Sequence, residues 1–470
     1  MFFLIIALWL VCFWEKLVTL LPLDDQILVI FGQAPEIFLL FGVLWLQASR
    51  SPARGSFRGL GGGLDALLAI FIGWILLSSL IAQNAAGPFA SPDPFLSFIN
   101  VKALIRYFAV FYLASRIVWD EKKARTIRNT ILLIVAIQVV IGLLQVVFGR
   151  PALEFFAPRS LSDVFGRDRE AFVDRETTGI EIFGTFRVTI SYAYLLMIGA
   201  ITVMVSRVRL GPIGPRGISA ILLLMIFFSG SRIVLLLTAA VYFTYFVNLK
   251  IGKLSRARVL AASLAGVTVV AGLYTYALSL DLDYETGTLG YILTPDYIEA
   301  AMNGRLGVMV VILPQLMDNP QFFVGYGADW TFITSNLIQA ERIANYALVA
   351  TLEKTIEDVY WVALLLYYGA IGMVFFVLFL VKLYKRLSQI FDRHTGWIAD
   401  MAETARMLFL VNIILNFVNQ AFEVQTNSLL LWAFVGIAIT AARQAERERR
   451  VGPVENVAAV PFGDRRHAVA

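Results

Sequence analysis

The chain has 470 residues, 59% of them hydrophobic and 16% charged, with a mean hydropathy of +0.75. A soluble domain carries about 25% charged residues, so the composition argues against a water-soluble enzyme. Cys12 is the single cysteine and both histidines, His394 and His467, fall in segments assigned below to the cytoplasm. That leaves no disulfide within the chain and no histidine cluster for a metal on the opposite face. The net charge of +5 matters less than its distribution, which orients the chain.

In chain order, apolar runs cover residues 2–21, 27–46, 64–82, 98–118, 131–148, 188–206, 218–249, 259–280, 359–381, 405–422 and 427–442. The first has no basic n-region and no small-residue cleavage site, so it reads as a retained span. The run 218–249 would be about 48 Å long as one helix, too long for one ordinary crossing. Arg207, Arg209 and Arg216 precede it and Lys250, Lys253, Arg256 and Arg258 follow it. Short cytoplasmic loops are enriched in Lys and Arg, so both flanks belong inside. The run therefore folds as a hairpin whose outer turn is Ser229-Gly230-Ser231-Arg232.

The same rule puts Arg50, Arg54 and Arg58, then Lys122, Lys123, Arg125 and Arg128, then Lys382, Lys385, Arg386 and Arg393, and the tail, inside. The expectation is an all-α polytopic membrane protein with about 12 transmembrane helices and both termini cytoplasmic. Residues 1–442 form one integral membrane domain with outer loops at 149–187 and 281–358. Residues 443–470 form a basic cytoplasmic tail, a short helix end followed by disorder. The first outer loop holds six basic and seven acidic residues and the second three basic and eleven acidic, so outer arginines are few. No repeat of 20–50 residues and no inverted pairing of interrupted spans appears, as many transporters would show.

Charge at membrane depth costs about 2.5–3.5 kcal/mol per residue on insertion scales. Lys102 and Arg106 share a helical face near the outer end of the fourth span. Snorkelling to headgroups is the plain reading; a pyrophosphate or sugar-phosphate ligand is the sharper one. Arg232 sits in a hairpin with short arms, beside the hydroxyls of Ser229 and Ser231, where a structural salt bridge is the alternative. Arg187 begins the sixth span and Arg305 an apolar stretch of the late loop; taken alone, each reads as an ordinary exposed arginine. Together these guanidinium groups suit phosphate oxygens on one side of the membrane.

The late loop is expected to carry structure of its own: helices at 302–317 and 335–354, with Gly325-Tyr326-Gly327-Ala328-Asp329 as a turn between them. A lone GxG is too weak a signal for a nucleotide site. Glu357 and Asp358 lead into the tenth span beside Tyr360 and Trp361, where acids also favour the helix dipole.

Gly184-Thr185-Phe186 ahead of a span, Ser231-Arg232 in a hairpin turn, Arg305, Asn319-Pro320, Gly325-Tyr326-Gly327, and a later span containing Tyr368-Gly369-Ala370-Ile371-Gly372 follow one another in an order that resembles the O-antigen ligase and polymerase superfamily. The resemblance runs from roughly the third span to the last. It implies a GT-C-type glycosyltransferase acting at the periplasmic face of a bacterial inner membrane. The donor would be a glycan on undecaprenyl pyrophosphate and the acceptor a hydroxyl, with no nucleotide sugar, metal or other cofactor and no nucleic acid. Membrane lipid, a flippase and a chain-length regulator are the implied partners.

In ligases of the family two arginines and a histidine around the late loop form the functional set. Arg232 and Arg305 match the arginines, whereas Glu357-Asp358 stands where the histidine is expected. The resemblance thus favours the polymerase branch over ligation to lipid A core or protein. Arg232, Arg305, Glu357 and Asp358 are the expected catalytic residues, with Lys102, Arg106, Arg187, Ser231 and Tyr326 binding substrate. A flippase or other transporter is the rival from another class.

Overall fold

The computed structural model describes residues 1–19, 38–39, 41–45, 63–84, 109–156, 182–186, 189–251, 321–327, 359–417, 419–422 and 424–451. Among these residues the regular secondary structure is helical, with no strand beyond one isolated bridge. The helices are α1 (Phe2–Thr19), α2 (Leu64–Asn84), α3 (Glu121–Phe148), α4 (Arg150–Phe156), α5 (Thr189–Val205), α6 (Pro215–Phe228), α7 (Arg232–Ile251), α8 (Gln321–Val324), α9 (Tyr360–Arg393), α10 (Trp397–Leu415) and α11 (Gln425–Val451).

Four of them, α2, α3, α9 and α11, are long and apolar enough to cross a membrane. α3 shows why such a helix suits lipid. One stripe, Ala124, Ile127, Ile131, Ile134, Gln138, Ile141 and Gln145, is buried against neighbours at a spacing of three and four. On another face Leu133, Val140, Leu143 and Val147 are large, apolar and exposed. An apolar stripe of that size is a liability in water and ordinary against acyl chains. The most apolar part of α11 is 78% buried and that of α2 28%, so α11 lies inside the bundle and α2 at its margin. α5 is the other inner helix: it is buried from Tyr192 to Val205 and packs on α3, α6, α7, α10 and α11.

Contacts between helix ends sort the bundle into two ends. At one, the Gln444 side chain binds Trp119 N–H and Ile117 C=O, Arg386 pairs with Glu446 at 3.4 Å, and the Tyr245 hydroxyl donates to Glu403. This end carries Lys122, Lys123, Arg125, Arg128, Arg207, Arg209, Arg216, Arg386, Arg393, Arg443 and Arg449. At the other end Ile182 N–H donates to Phe228 C=O, the Cys12 carbonyl accepts from Thr185, and Trp361 Nε1–H donates to Ile413 C=O. Among the described residues that end carries Lys16, Arg150 and Arg232. The strong basic asymmetry is the one the Lys and Arg positions in the sequence anticipate.

The long run at 218–249 does break at the expected turn, with α6 ending at Phe228 and α7 starting at Arg232. Two boundaries differ from the hydropathy reading. The span expected at 405–422 is a helix at Trp397–Leu415, and residues 416–422 turn back toward α11. Glu403, which hydropathy left outside this helix, is matched inside it. Arg406 pairs with Glu403 at 2.5 Å, and Glu403 also accepts from Tyr245 at 2.7 Å. The run at 359–381 belongs to a helix that continues to Arg393 but is broken at Gly369, whose φ of 68° and ψ of 179° are not helical.

Candidate functional site

α6 has 14 residues, about 21 Å of helix against a hydrocarbon core of about 30 Å. It starts at the basic end with Arg216 and is about 9 Å shorter than that core. Gly230 takes φ 70° to close the turn, and the buried Ser229 hydroxyl donates to Ile226 C=O at 2.7 Å. Ser229 is thus committed to the turn itself and does not offer its hydrogen to a ligand. Ser231 begins α7 by accepting from Leu235 N–H, and Arg232 is the first residue of the helix. A cation there opposes the positive end of the helix dipole, so helix stability does not explain it. Of the first-turn N–H groups, that of Ser231 donates to the Ser229 hydroxyl and that of Arg232 to Gly230 C=O, so the guanidinium is what this corner offers an anion.

The segment beside this corner is Phe183-Gly184-Thr185-Phe186, tied to Phe228 through Ile182. Two amides seven residues apart on the buried seam of α3 hold it. Gln145 Oε1 accepts from the N–H groups of Phe183 and Gly184 at 3.1 and 2.9 Å, and its Nε2 donates to Gly184 C=O at 2.9 Å. Gln138 Oε1 accepts from Thr185 N–H at 3.1 Å, and its Nε2 donates to Thr185 Oγ1 at 2.6 Å. Tyr192 at the start of α5 fills the space between: a Cβ on Gly184 would meet its ring at 2.7 Å and one on Gly142 would meet its hydroxyl. Sequence reasoning noticed Gly184-Thr185-Phe186 and missed both glutamines, although two amides on one apolar helical stripe were a readable signal. Gln145→Leu leaves two buried N–H groups without acceptors, so it should lower stability by about 2–5 kcal/mol. A thermal-unfolding midpoint equal to wild type would show that the clamp does not hold this turn.

Gly325-Tyr326-Gly327 docks on the break in α9. Tyr326 N–H donates to Leu366 C=O at 2.8 Å and Gly327 N–H to Tyr367 C=O at 3.1 Å. Trp74 Nε1–H from α2 donates to Tyr368 C=O at 2.8 Å. Three successive carbonyls beside the break thus each receive a donor from outside the helix, which is what burial of a broken helix demands. Gly325 and Gly369 pass backbone to backbone: a Cβ on Gly325 would meet Tyr367 C=O at 2.5 Å, and one on Gly369 would meet Phe323 C=O. Tyr326 itself is 3% exposed, and burial pushes its hydroxyl pKa up to about 12. Its backbone and ring pin the late loop to α9 ahead of any part in binding.

A third buried polar group closes the turn between α10 and α11. Asn416 Nδ2 donates to Asn412 C=O at 2.7 Å, Asn416 Oδ1 accepts from Phe422 N–H at 3.2 Å, and Asn427 Nδ2 donates to Ala421 C=O at 2.6 Å. The Phe422 ring lies 5.6 Å from that of Tyr360, so this turn packs on the start of α9, just after Glu357 and Asp358 in sequence.

Of the residues expected to act, Ser231, Arg232 and Tyr326 lie in the structure described, all at the end of the bundle opposite the basic one. Lys102, Arg106, Arg187, Arg305, Glu357 and Asp358, and the two expected loop helices, lie outside the described residues. Among the described residues no group of three or more His, Cys, Asp or Glu side chains is arranged to hold a metal ion. No protein-family model matches the chain, and no curated protein matches it.

Proposed function

We propose that this protein is a metal-independent GT-C-type polysaccharide polymerase of a bacterial inner membrane. It transfers a glycan from undecaprenyl pyrophosphate to a hydroxyl of a second lipid-linked repeat unit at the periplasmic face. The observation that supports the reading is Arg232 at the hairpin turn after the short helix α6, at the end of the bundle opposite the basic one. An ionisable residue held at membrane depth is by default a functional one. The order of motifs in the sequence supplies the chemistry, and three of those motifs lie at this same end.

We read twelve crossings: α1, α2 and α7 each finish at one end while the next long helix starts at the other, and the apolar runs at 27–46, 98–118 and 259–280 in the sequence would each supply the return. The basic end is then cytoplasmic.

In the reaction, the acceptor oxygen attacks the anomeric carbon of the donor sugar. The bond from that carbon to the pyrophosphate oxygen breaks, and the diphosphate leaves with the electron pair. Arg232 and Arg305 stabilise the growing negative charge, with Lys102, Arg106, Arg187 and Ser231 holding the diphosphate and Tyr326 keeping the loop in place. Glu357 or Asp358 takes the hydroxyl proton. A transporter would set its charges near the midplane between repeats, whereas Arg232 stands at a helix start at one end of the bundle.

Purified protein given undecaprenyl-pyrophosphate-linked repeats alone should elongate them, read as a ladder on a gel. Product formed only when lipid A core or a protein acceptor is added would identify a ligase instead. Solute-dependent flux in vesicles with no covalent product would identify a transporter. Arg305→Ala should lower elongation by about two orders of magnitude; wild-type chain lengths would remove Arg305 from the mechanism.

A further inference from the structure

The connection between α5 and α6, residues 206–214, lies at the basic end, away from the Arg232 turn, and the proposed reaction makes no use of it. A cavity of about 640 Å³ opens between this connection and α7, lined by Arg207, Arg209, Pro212, Arg216, Tyr242 and Tyr245. That is the size range of small-ligand sites. We infer that it binds the phosphodiester headgroup of an anionic phospholipid in the cytoplasmic leaflet.

Three observations carry this. The first is the backbone of Arg207. Val208 N–H donates to Val203 C=O, closing α5 with a turn whose left-handed position is normally glycine. Arg207 occupies it at φ 50°, the one non-glycine residue with positive φ among the described residues. Glycine would close the same turn without strain, so the local structure accepts a cost to keep a guanidinium at the cavity.

The second is the tip of the connection. Leu210 and Ile213 exchange both N–H to C=O bonds at 3.0 Å across Gly211 and Pro212. Residues so paired present their side chains on one face, and here they are 60% and 42% exposed. An apolar pair flanked by arginines suits the boundary between acyl chains and headgroups, which a soluble phosphate would not need.

The third is the surrounding charge. Asp400 on α10 lies within the field of Arg207 and of Arg128. The Tyr245 hydroxyl at the cavity wall donates to Glu403, whose charge Arg406 matches. Three arginines thus line the cavity, and the nearby Glu403 is already matched by Arg406. The inference needs only that this end faces the cytoplasm and holds whatever reaction the other end performs.

The test counts lipid on the full-length protein by native mass spectrometry, with phosphatidylglycerol or phosphatidylcholine added at equal concentration. Phosphatidylglycerol should be retained preferentially. Arg207→Gly should cut that retention by about fivefold, the worth of one arginine near an anionic surface, while the unfolding midpoint stays at or above wild type. The pair Arg209→Gln and Arg216→Gln should lower retention further, and provides the same reading if Arg207→Gly fails to fold. Lys122→Gln with Arg125→Gln, elsewhere on the same end, should leave retention unchanged. Equal retention of both lipids would overturn the proposal. So would an equal loss in the Lys122 and Arg125 variant, or displacement of the lipid by inorganic phosphate at matched concentration.

Discussion

Arg232→Ala should abolish long-chain product, with elongation reduced by about 10²–10³-fold, while lipid-linked single repeats accumulate and the protein inserts and folds. The argument rests on where the residue sits. It is the first residue of α7, following the turn that ends the 14-residue α6. A helix begins better with an acid than with a base, by about 0.3–1 kcal/mol. The dipole thus gives no reason for the unfolding midpoint to fall when the charge is removed, and activity should fall far more than stability. Arg232→Lys keeps the charge and loses the planar fork that spans two phosphate oxygens. It should recover about tenfold over alanine and stay well below wild type. A parallel fall of stability and activity in Arg232→Ala would make the residue structural, and full activity in both variants would remove it from the reaction.

The sequence reveals the hairpin because two crude quantities agree: a run too long for one crossing and basic residues on both flanks. It anticipates which helix ends gather at the basic end for the same reason, since Lys and Arg sort by end before any packing is known. The start of α10 is invisible to hydropathy, which scores Glu403 and Arg406 as if each were alone, whereas in the fold they neutralise each other and Tyr245 takes a lone pair. The break at Gly369 is invisible for the opposite reason. Residues 359–381 stay apolar through it, and what permits the break is a donor set 40 residues upstream and another on α2. Such pairing is a tertiary fact with no local signature beyond the glycines themselves. The candidate site divides similarly. Ser231 and Arg232 are legible as charge and hydroxyl on an outer turn, and Tyr326 only as part of a motif. The amides of Gln138 and Gln145, which hold the neighbouring turn, carry no charge and so escape a search for misplaced charge.

The larger stability effect should come from the glycine pair that joins the late loop to α9. Gly369→Ala and Gly325→Ala each put a Cβ against peptide backbone at a position with positive φ, 68° and 89° respectively. Backbone on both sides leaves no flexible side chain to yield, so the loop must lift away. The two N–H to C=O bonds made by Tyr326 and Gly327 then go with it. The left-handed strain costs about 1–2 kcal/mol and each lost bond about 1 kcal/mol, so a total of about 3–4 kcal/mol is expected for either variant. Gly149→Ala isolates the strain alone, because its φ is 59° and nothing lies within 4 Å of the added carbon; its effect should stay near 1 kcal/mol. The damage should be local. Limited proteolysis should cut the 281–358 loop faster in the Gly369 and Gly325 variants while α5 and α11 remain protected, and chain elongation should fall with loop release. If all three variants behave alike, strain is the whole effect and the loop is held elsewhere. If the Gly369 and Gly325 variants lose protection throughout the bundle, the contact is part of the core and the late loop is not a separately anchored element.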